Sequence, residues 1–175
     1  MMTKITQFDK QCLKSAISIA RETLKLGNYP VGAVLAINDK TLGVAGNEIN
    51  KQKYFVNHAE NSLIIKYGKE LAEVRKDDTK IVTLYSTLEP CIQCLGASVT
   101  NHIDRILFIE PDPNGGACNL KHDNIGLWYR EFWPEIRNCS ISDEPKQLMI
   151  KFFKEEIIKG NTDWPKKMLK LLGVA

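Results

Sequence analysis

Two short segments constrain this chain most: His58-Ala59-Glu60 and Pro90-Cys91-Ile92-Gln93-Cys94. Each stands at the start of a stretch with helical spacing. After His58, Ala59, Leu63, Ile64 and Tyr67 share one face, and Gly68 reads as the stop. Pro90 fits the first position of a second helix, in which Ile92, Leu95, Gly96 and Val99 form the apolar stripe. Cys91 and Cys94 are then three apart, so their sulfurs project from one face. Unpaired N–H groups and the helix dipole at such a start stabilise thiolates. A fold that uses both segments must bring two helix starts together over one point.

Imidazole nitrogen and two thiolate sulfurs are donors that Zn2+ prefers, in a tetrahedron. With His58, Cys91 and Cys94 as ligands, one position stays open for water, which separates a catalytic zinc from a structural one. Two thiolates cancel the formal charge of the ion, so it acidifies water less than an all-histidine site would. A neighbouring base is then useful. Glu60, two residues beyond His58, can reach that water without being a ligand itself. The plainer readings are a redox pair, or half of a structural zinc site completed by Cys118, His102 or His122. A redox pair leaves His58-Ala59-Glu60 at the head of a helix unexplained, and it is the joint occurrence that points to a metal.

The rest of the chain reads as α/β. Asp9 to Leu26 is an amphipathic helix with Leu13, Ala16, Ile17, Ala20 and Leu24 inward, stopped by Gly27. Strands are expected over 31–37, 41–46, 81–87 and 105–110, with Asn38-Asp39-Lys40 as a turn and 111–116 as a loop. Helices follow over about 145–159 and 164–172. Strands separated by helices argue for a mixed sheet with helices on its faces, and 175 residues suit a single domain spanning 1–175. A net charge of +3 is too small to announce a nucleic-acid binder. No apolar signal core or membrane span is present, so the reading is a cytoplasmic protein without a membrane partner. Five cysteines, an odd number, argue against a disulfide framework.

The order H-x-E followed by P-C-x-x-C is an already known signature of zinc deaminases. Thr87 to Ala97 resembles the second zinc motif of tRNA adenosine deaminases and bacterial guanine deaminases. Pro30-Val31-Gly32-Ala33-Val34 and Gly46-Asn47 are similar to their upstream strand and substrate-binding asparagine. The likeness runs from about Ala16 to Ala117, leaving a less-matched helical extension from about 118. It implies the cytidine deaminase-like three-layer α/β/α sandwich around a central mixed sheet, with one zinc per chain. It further implies that Glu60 moves protons from the attacking water to the ring nitrogen and the leaving amine. Asn47 and the Ala59 backbone N–H would hold the base, and the assembly would be a homodimer or larger homo-oligomer. Gln93 stands where the family often has methionine.

The substrate reading favours a small nucleobase or nucleoside, an aminopurine such as guanine. The tRNA-editing relatives typically end in a di-phenylalanine followed by arginines that meet phosphate. Here the stretch is Lys151-Phe152-Phe153-Lys154-Glu155-Glu156, with carboxylates in place of cations. tRNA adenosine is the alternative, with Lys166, Lys167 and Lys170 as a separate basic patch or an ordinary solvated face. A non-catalytic zinc-stabilised subunit is the third reading, against which all four site residues stand intact. Cys12 reads as buried packing, Cys118 and Cys139 as incidental, and His102 as a polar cap. Asp112 and His122 are candidates to border the pocket. The cluster Trp128, Tyr129, Phe132 and Trp133 reads as core, or alternatively as a lid over a flat base.

Overall fold

A computed structural model describes residues 4–174, apart from the side chains of Lys51 and His122. The first helix, α1 (Gln7–Lys25), opens with a capping box: the Thr6 hydroxyl accepts the Asp9 N–H and the Asp9 carboxylate accepts the Thr6 N–H. Its inward face is the one the spacing gives, with Leu13, Ala16 and Ala20 wholly buried. β1 (Gly32–Ile37) and β2 (Lys40–Gly46) form a hairpin, followed by the one-turn α2 (Ile49–Gln52). Next come α3 (Ala59–Lys66), α4 (Gly68–Val74), β3 (Val82–Leu88), α5 (Ile92–Thr100) and β4 (Arg105–Glu110). The chain ends with α6 (Leu127–Glu131), β5 (Glu135–Asn138), α7 (Glu144–Ile158) and α8 (Asp163–Leu171).

The five strands lie in the order β2-β1-β3-β4-β5. β1 is antiparallel to both β2 and β3, whereas β3–β4 and β4–β5 are parallel, so the sheet is mixed. Alternation along β1 sorts its side chains: Val34 and Ala36 join Leu13, Ala16 and Ile17 of α1 on one face. Ala33 and Leu35 join Leu63 of α3 and Leu95 of α5 on the other. Burying each such leucine or isoleucine contributes about 1.5–3 kcal/mol. Gly32 sets how closely α1 lies on the sheet, since a Cβ there would sit 2.2 Å from the Ala16 carbonyl oxygen. The architecture is the helix–sheet–helix sandwich expected from the sequence.

The sequence reading lacks α2, α4, α6 and β5 and misplaces Pro90. The helix after His58 does end with Gly68 just past it, as expected, but α4 follows directly from that glycine and buries Leu71 and Val74 beneath a charged exterior. β5 carries Glu135 and Arg137 at a sheet edge, where one strand neighbour suffices and apolar alternation is not required. Pro90 lies outside α5, because Cys91 is the extended residue that caps it. The buried face of α5 is accordingly Cys94, Leu95, Ser98 and Val99, while Ile92 is 65% exposed.

Asp9 ties α1 to the sheet. Its carboxylate, 1% exposed at the residue level, accepts from Tyr85 Oη (2.7 Å) and from both terminal nitrogens of Arg105 (3.3 Å each). Burial alone would raise its pKa, but the Thr6 N–H, Tyr85 and Arg105 outweigh that and hold it below the ordinary carboxylate value. A lowered folded-state pKa gives stability that is present above the unfolded value and lost as pH falls through the folded one. Asp9→Ala is expected to destabilise the protein by about 3 kcal/mol near neutral pH, by leaving the buried Tyr85 hydroxyl without its acceptor and Arg105 with the longer contact to Glu135 (4.0 Å). The gap between wild type and variant should narrow below about pH 4. Urea melts of both proteins across that range check it, and a gap that does not depend on pH would remove the charge from the explanation.

Candidate metal centre and active site

The sheet positions two helix starts at one end of β3. His58 is the extended N-cap of α3 and Cys91 that of α5, and neither side chain caps its own helix. Both therefore remain available to a ligand. Cys94, fully buried, follows one turn into α5. The His58 Nδ1 lies 3.5 Å from Cys91 Sγ and 3.4 Å from Cys94 Sγ, and all three donor atoms fall within 4.8 Å of one another. A tetrahedral zinc with its usual Zn–S and Zn–N bond lengths puts a sulfur and a nitrogen about 3.5 Å apart. The donor set and its spacing fit zinc. Among the described residues the group stops at three donors; Cys118 and His102 stand outside it, and the His122 side chain lies outside the described residues.

The charges here are strongly coupled. Cys91 drops to about 4, chiefly through the hydrogen bond with Cys94 and then through His58. Cys94 is pushed far up by the same contact with Cys91, by burial and by Glu60. His58 is raised by its hydrogen bond to Cys91. A divalent ion makes two adjacent thiolates favourable.

Glu60 is 3% exposed. Burial pushes its carboxyl above the ordinary range, against the opposing hydrogen bonds from its own backbone N–H and from Ser86. Ser86 Oγ, on β3, donates to Glu60 Oε1 at 2.9 Å, and Cys94 Sγ lies 3.6 Å from Oε2. Ser86 was not singled out in the sequence; a serine in a strand of seven buried residues is the trace it leaves there. Glu89 was also missed. It accepts the N–H groups of Asp112 (3.1 Å) and Cys118 (2.9 Å), clamping the 112–118 loop against the cysteine segment, to which Gly116 bridges at Cys91. A Cβ on Gly116 would meet the Glu89 carboxylate at 2.4 Å, so this clamp requires glycine. Gln93, where the family often has methionine, donates to the Val56 carbonyl (3.3 Å) and links α5 to the segment before His58.

A cavity of about 430 Å³ opens over this centre and includes His58, Glu60, Cys91, Asn47 and Asp112 in its wall. Asn47 is buried, and its Oδ1 accepts the Ile49 N–H at 3.0 Å; among the described residues its Nδ2 group donates to no other side chain or carbonyl. Ala59 puts no side chain into this wall, but its N–H is one of the first-turn donors of α3 without an intrahelical partner. The aromatic part of the wall is Tyr29, Phe55, Phe152 and Trp164. Trp128 and Phe132 instead surround His102 beyond the far end of α5, with Phe132 4.0 Å from it between ring centroids. Trp133 lines a different cavity beside His102. The core reading holds only for Phe132 and Trp133, since Trp128 (43%) and Tyr129 (44%) are exposed. The lid reading does not fit this cavity, because the rings gather around His102, at the end of α5 remote from Cys91. His102 itself adopts a left-handed backbone (φ 54°) just past the helix.

Residues 6–110 match the family described as the cytidine and deoxycytidylate deaminase zinc-binding region. The chain belongs to this family. It is thus a zinc-binding enzyme of hydrolytic C–N deamination. It is 36% identical over 147 residues to a tRNA-specific adenosine deaminase of Bacillus subtilis, covering 84% of this chain and 89% of the relative. A Buchnera aphidicola tRNA-specific adenosine deaminase is 38% identical over 150 residues, covering 85% and 90%. A structure determined in work on A-to-I editing by tRNA:A34 deaminases shares the fold with a TM-score of 0.62 at 23% identity, covering 79% of this chain and 99% of the other.

Cys94→Ala is expected to lower zinc content from about one ion per chain to roughly a tenth or less, and to lower the melting temperature, because metal-binding free energy is part of folding free energy. Cys118→Ala should retain the metal. Metal analysis of the two purified variants checks this; full zinc in Cys94→Ala would contradict the ligand set.

Proposed function

We propose that this protein hydrolytically deaminates adenosine to inosine in tRNA, releasing ammonia. The observation that carries the reading is its likeness, along nearly their whole length, to tRNA-specific adenosine deaminases, with His58, Glu60, Cys91 and Cys94 all present and gathered at one cavity. Zinc, when bound by His58, Cys91 and Cys94, supplies a Lewis acid that makes water a nucleophile at neutral pH.

The chain's own groups then divide the remaining work. Glu60 takes the proton of the attacking water on its carboxylate. Burial raises its affinity for that proton, and Ser86 fixes one oxygen so that the other faces the chemistry. Glu60 then delivers protons to the ring nitrogen and to the amine that leaves. The Asn47 amide and the Ala59 N–H orient the base, and the aromatic walls exclude water from its faces. Phe55, 82% exposed yet part of the wall, offers a stacking surface to a base. No described helix is long and apolar enough to cross a membrane. A cytoplasmic enzyme that is one domain over 1–175 and works as a homodimer or larger homo-oligomer completes the reading.

A free aminopurine such as guanine is the second reading, and one observation favours it. Glu156, from α7, lines the cavity itself, fixed by Lys159 Nζ (2.8 Å) and Asn161 Nδ2 (2.6 Å). These partners hold its pKa below the ordinary value, so it is an anion at neutral pH. A carboxylate suits the N–H edge of guanine and repels phosphate.

Zinc-loaded protein is expected to form inosine in a tRNA anticodon stem-loop and to leave free guanine, adenine and their nucleosides unchanged. Ammonia release across such a panel decides between the readings, and turnover of guanine alone would overturn the tRNA assignment. On the substrate so identified, Glu60→Ala should keep zinc but lose at least ~10²–10⁴-fold in rate. An active, zinc-loaded Glu60→Ala would exclude Glu60 as the proton carrier.

A further inference from the structure

We infer that α8 is a phosphate-binding face, with which this chain holds an RNA strand beside its active-site cavity. The inference rests on the tRNA reading and names the surface that would serve it. Among the described residues, no lysine or arginine lines the cavity, whereas four carboxylates do: Glu60, Glu89, Asp112 and Glu156. A base can enter such a space, but its flanking phosphates must be met outside.

The end of α7 is a poorer candidate: Lys151 pairs with Glu155 at 3.9 Å and Lys159, just past the helix, with Glu156 at 2.8 Å, which leaves Lys154 as the one exposed lysine there without an ion pair among the described residues. α8 differs. It is docked on the cavity wall by Trp164, which stacks on Tyr29 (5.9 Å between centroids, 29° between planes) and meets the Phe153 ring edge-on at 5.1 Å. Pro165, Met168 and Leu169 bury its inner side. Lys166, Lys167 and Lys170 are all exposed and, at helical spacing, fall within an arc of about 100° on the outer side.

None of the three forms an ion pair among the described residues, and the single acid of α8, Asp163, stands in its first turn. Three like charges at i, i+1 and i+4 repel one another on a nine-residue helix. An anion laid across them removes that repulsion. The cavity wall contributes Trp164, and two residues later the lysines begin. A strand that placed one nucleotide in the cavity would thus find its neighbouring phosphates opposite free cations.

The test uses full-length, zinc-loaded protein and an anticodon stem-loop RNA carrying the target adenosine. Charge reversal at all three positions (Lys166→Glu, Lys167→Glu, Lys170→Glu) should weaken RNA binding, read by fluorescence anisotropy, at least roughly tenfold at low salt. It should also flatten the log–log salt dependence by about two units, the loss expected when three single-strand phosphate contacts are removed. Zinc content and melting temperature serve as controls for folding, and the milder Lys→Gln triple replaces the reversal if they change. The Lys→Arg triple should retain both affinity and salt slope. If wild type binds and edits the RNA while both charge-removing triples match it in affinity and salt slope, α8 is not the contact and the tRNA reading stands. If wild type neither binds nor edits the RNA, the tRNA reading fails and this inference with it.

Discussion

Everything at the centre of this molecule follows from one electrostatic requirement: three donors and a carboxylate, all poor tenants of a protein interior, must be held together at the end of β3. The convergence of α3 and α5 meets it. Each helix starts with an extended residue whose side chain does not turn back to cap its own N–H groups, so His58 and Cys91 are presented outward while both dipoles point toward the sulfurs. Two thiolates side by side at this depth oppose one another's charge, and a divalent cation offsets that repulsion. The sheet keeps the two helix starts in place from beneath, with Leu63 and Leu95 buried in the same core as Leu35 and Leu84.

Glu60 solves a second problem with the same scaffold. A carboxylate at this depth is costly unless it is protonated or hydrogen-bonded. Ser86, wholly buried on β3, supplies one bond and no charge. A lysine or arginine in that place would pin Glu60 as an anion and reduce its ability to accept and return a proton. The hydroxyl holds the carboxyl in position and leaves its proton affinity high. Thr87, the next residue, turns the other way and accepts the Gly32 N–H at 3.1 Å, tying β1 to the same stretch of β3.

How much of this was legible in the sequence depended on whether a residue's role was local. His58, Cys91 and Cys94 were legible because metal ligation imposes residue type and spacing together, and α1 because its apolar face repeats at helical period over many turns. Asn47 and Ala59 could be named only through the family likeness; the structure places Asn47 in the cavity wall and the Ala59 N–H at the start of α3. Ser86 and Glu89 were not legible. A buried serine looks ordinary until Glu60 is packed against it, and a buried glutamate until the loop at 112–118 folds back onto it. The error at Pro90 was one of register: proline often occupies the first helical position, but here Cys91 has to stay extended (ψ 172°) to present its sulfur. The aromatic cluster at 128–133 was a composition signal without an address, and the three-dimensional packing sends it to His102.

The family match ends at residue 110, and the division it draws is physical. Inside it lie the metal donors, Glu60, Ser86 and Asn47. Outside it lie Phe152, Glu156 and Trp164, which complete the cavity wall from α7 and α8. Tyr29, on the loop after α1, joins the two parts: its ring meets Phe152 at 5.2 Å, Phe153 at 5.7 Å and Trp164 at 5.9 Å. Membership in the family therefore establishes the bond that is cleaved, while part of the wall that meets what enters, Asp112, Phe152, Glu156 and Trp164, comes from side chains outside the family match. The ring contacts that dock the two C-terminal helices leave their polar faces outward, so the wall carries Glu156 from α7 while three lysines of α8, without an ion pair among the described residues, stand just beyond it as the phosphate face proposed above.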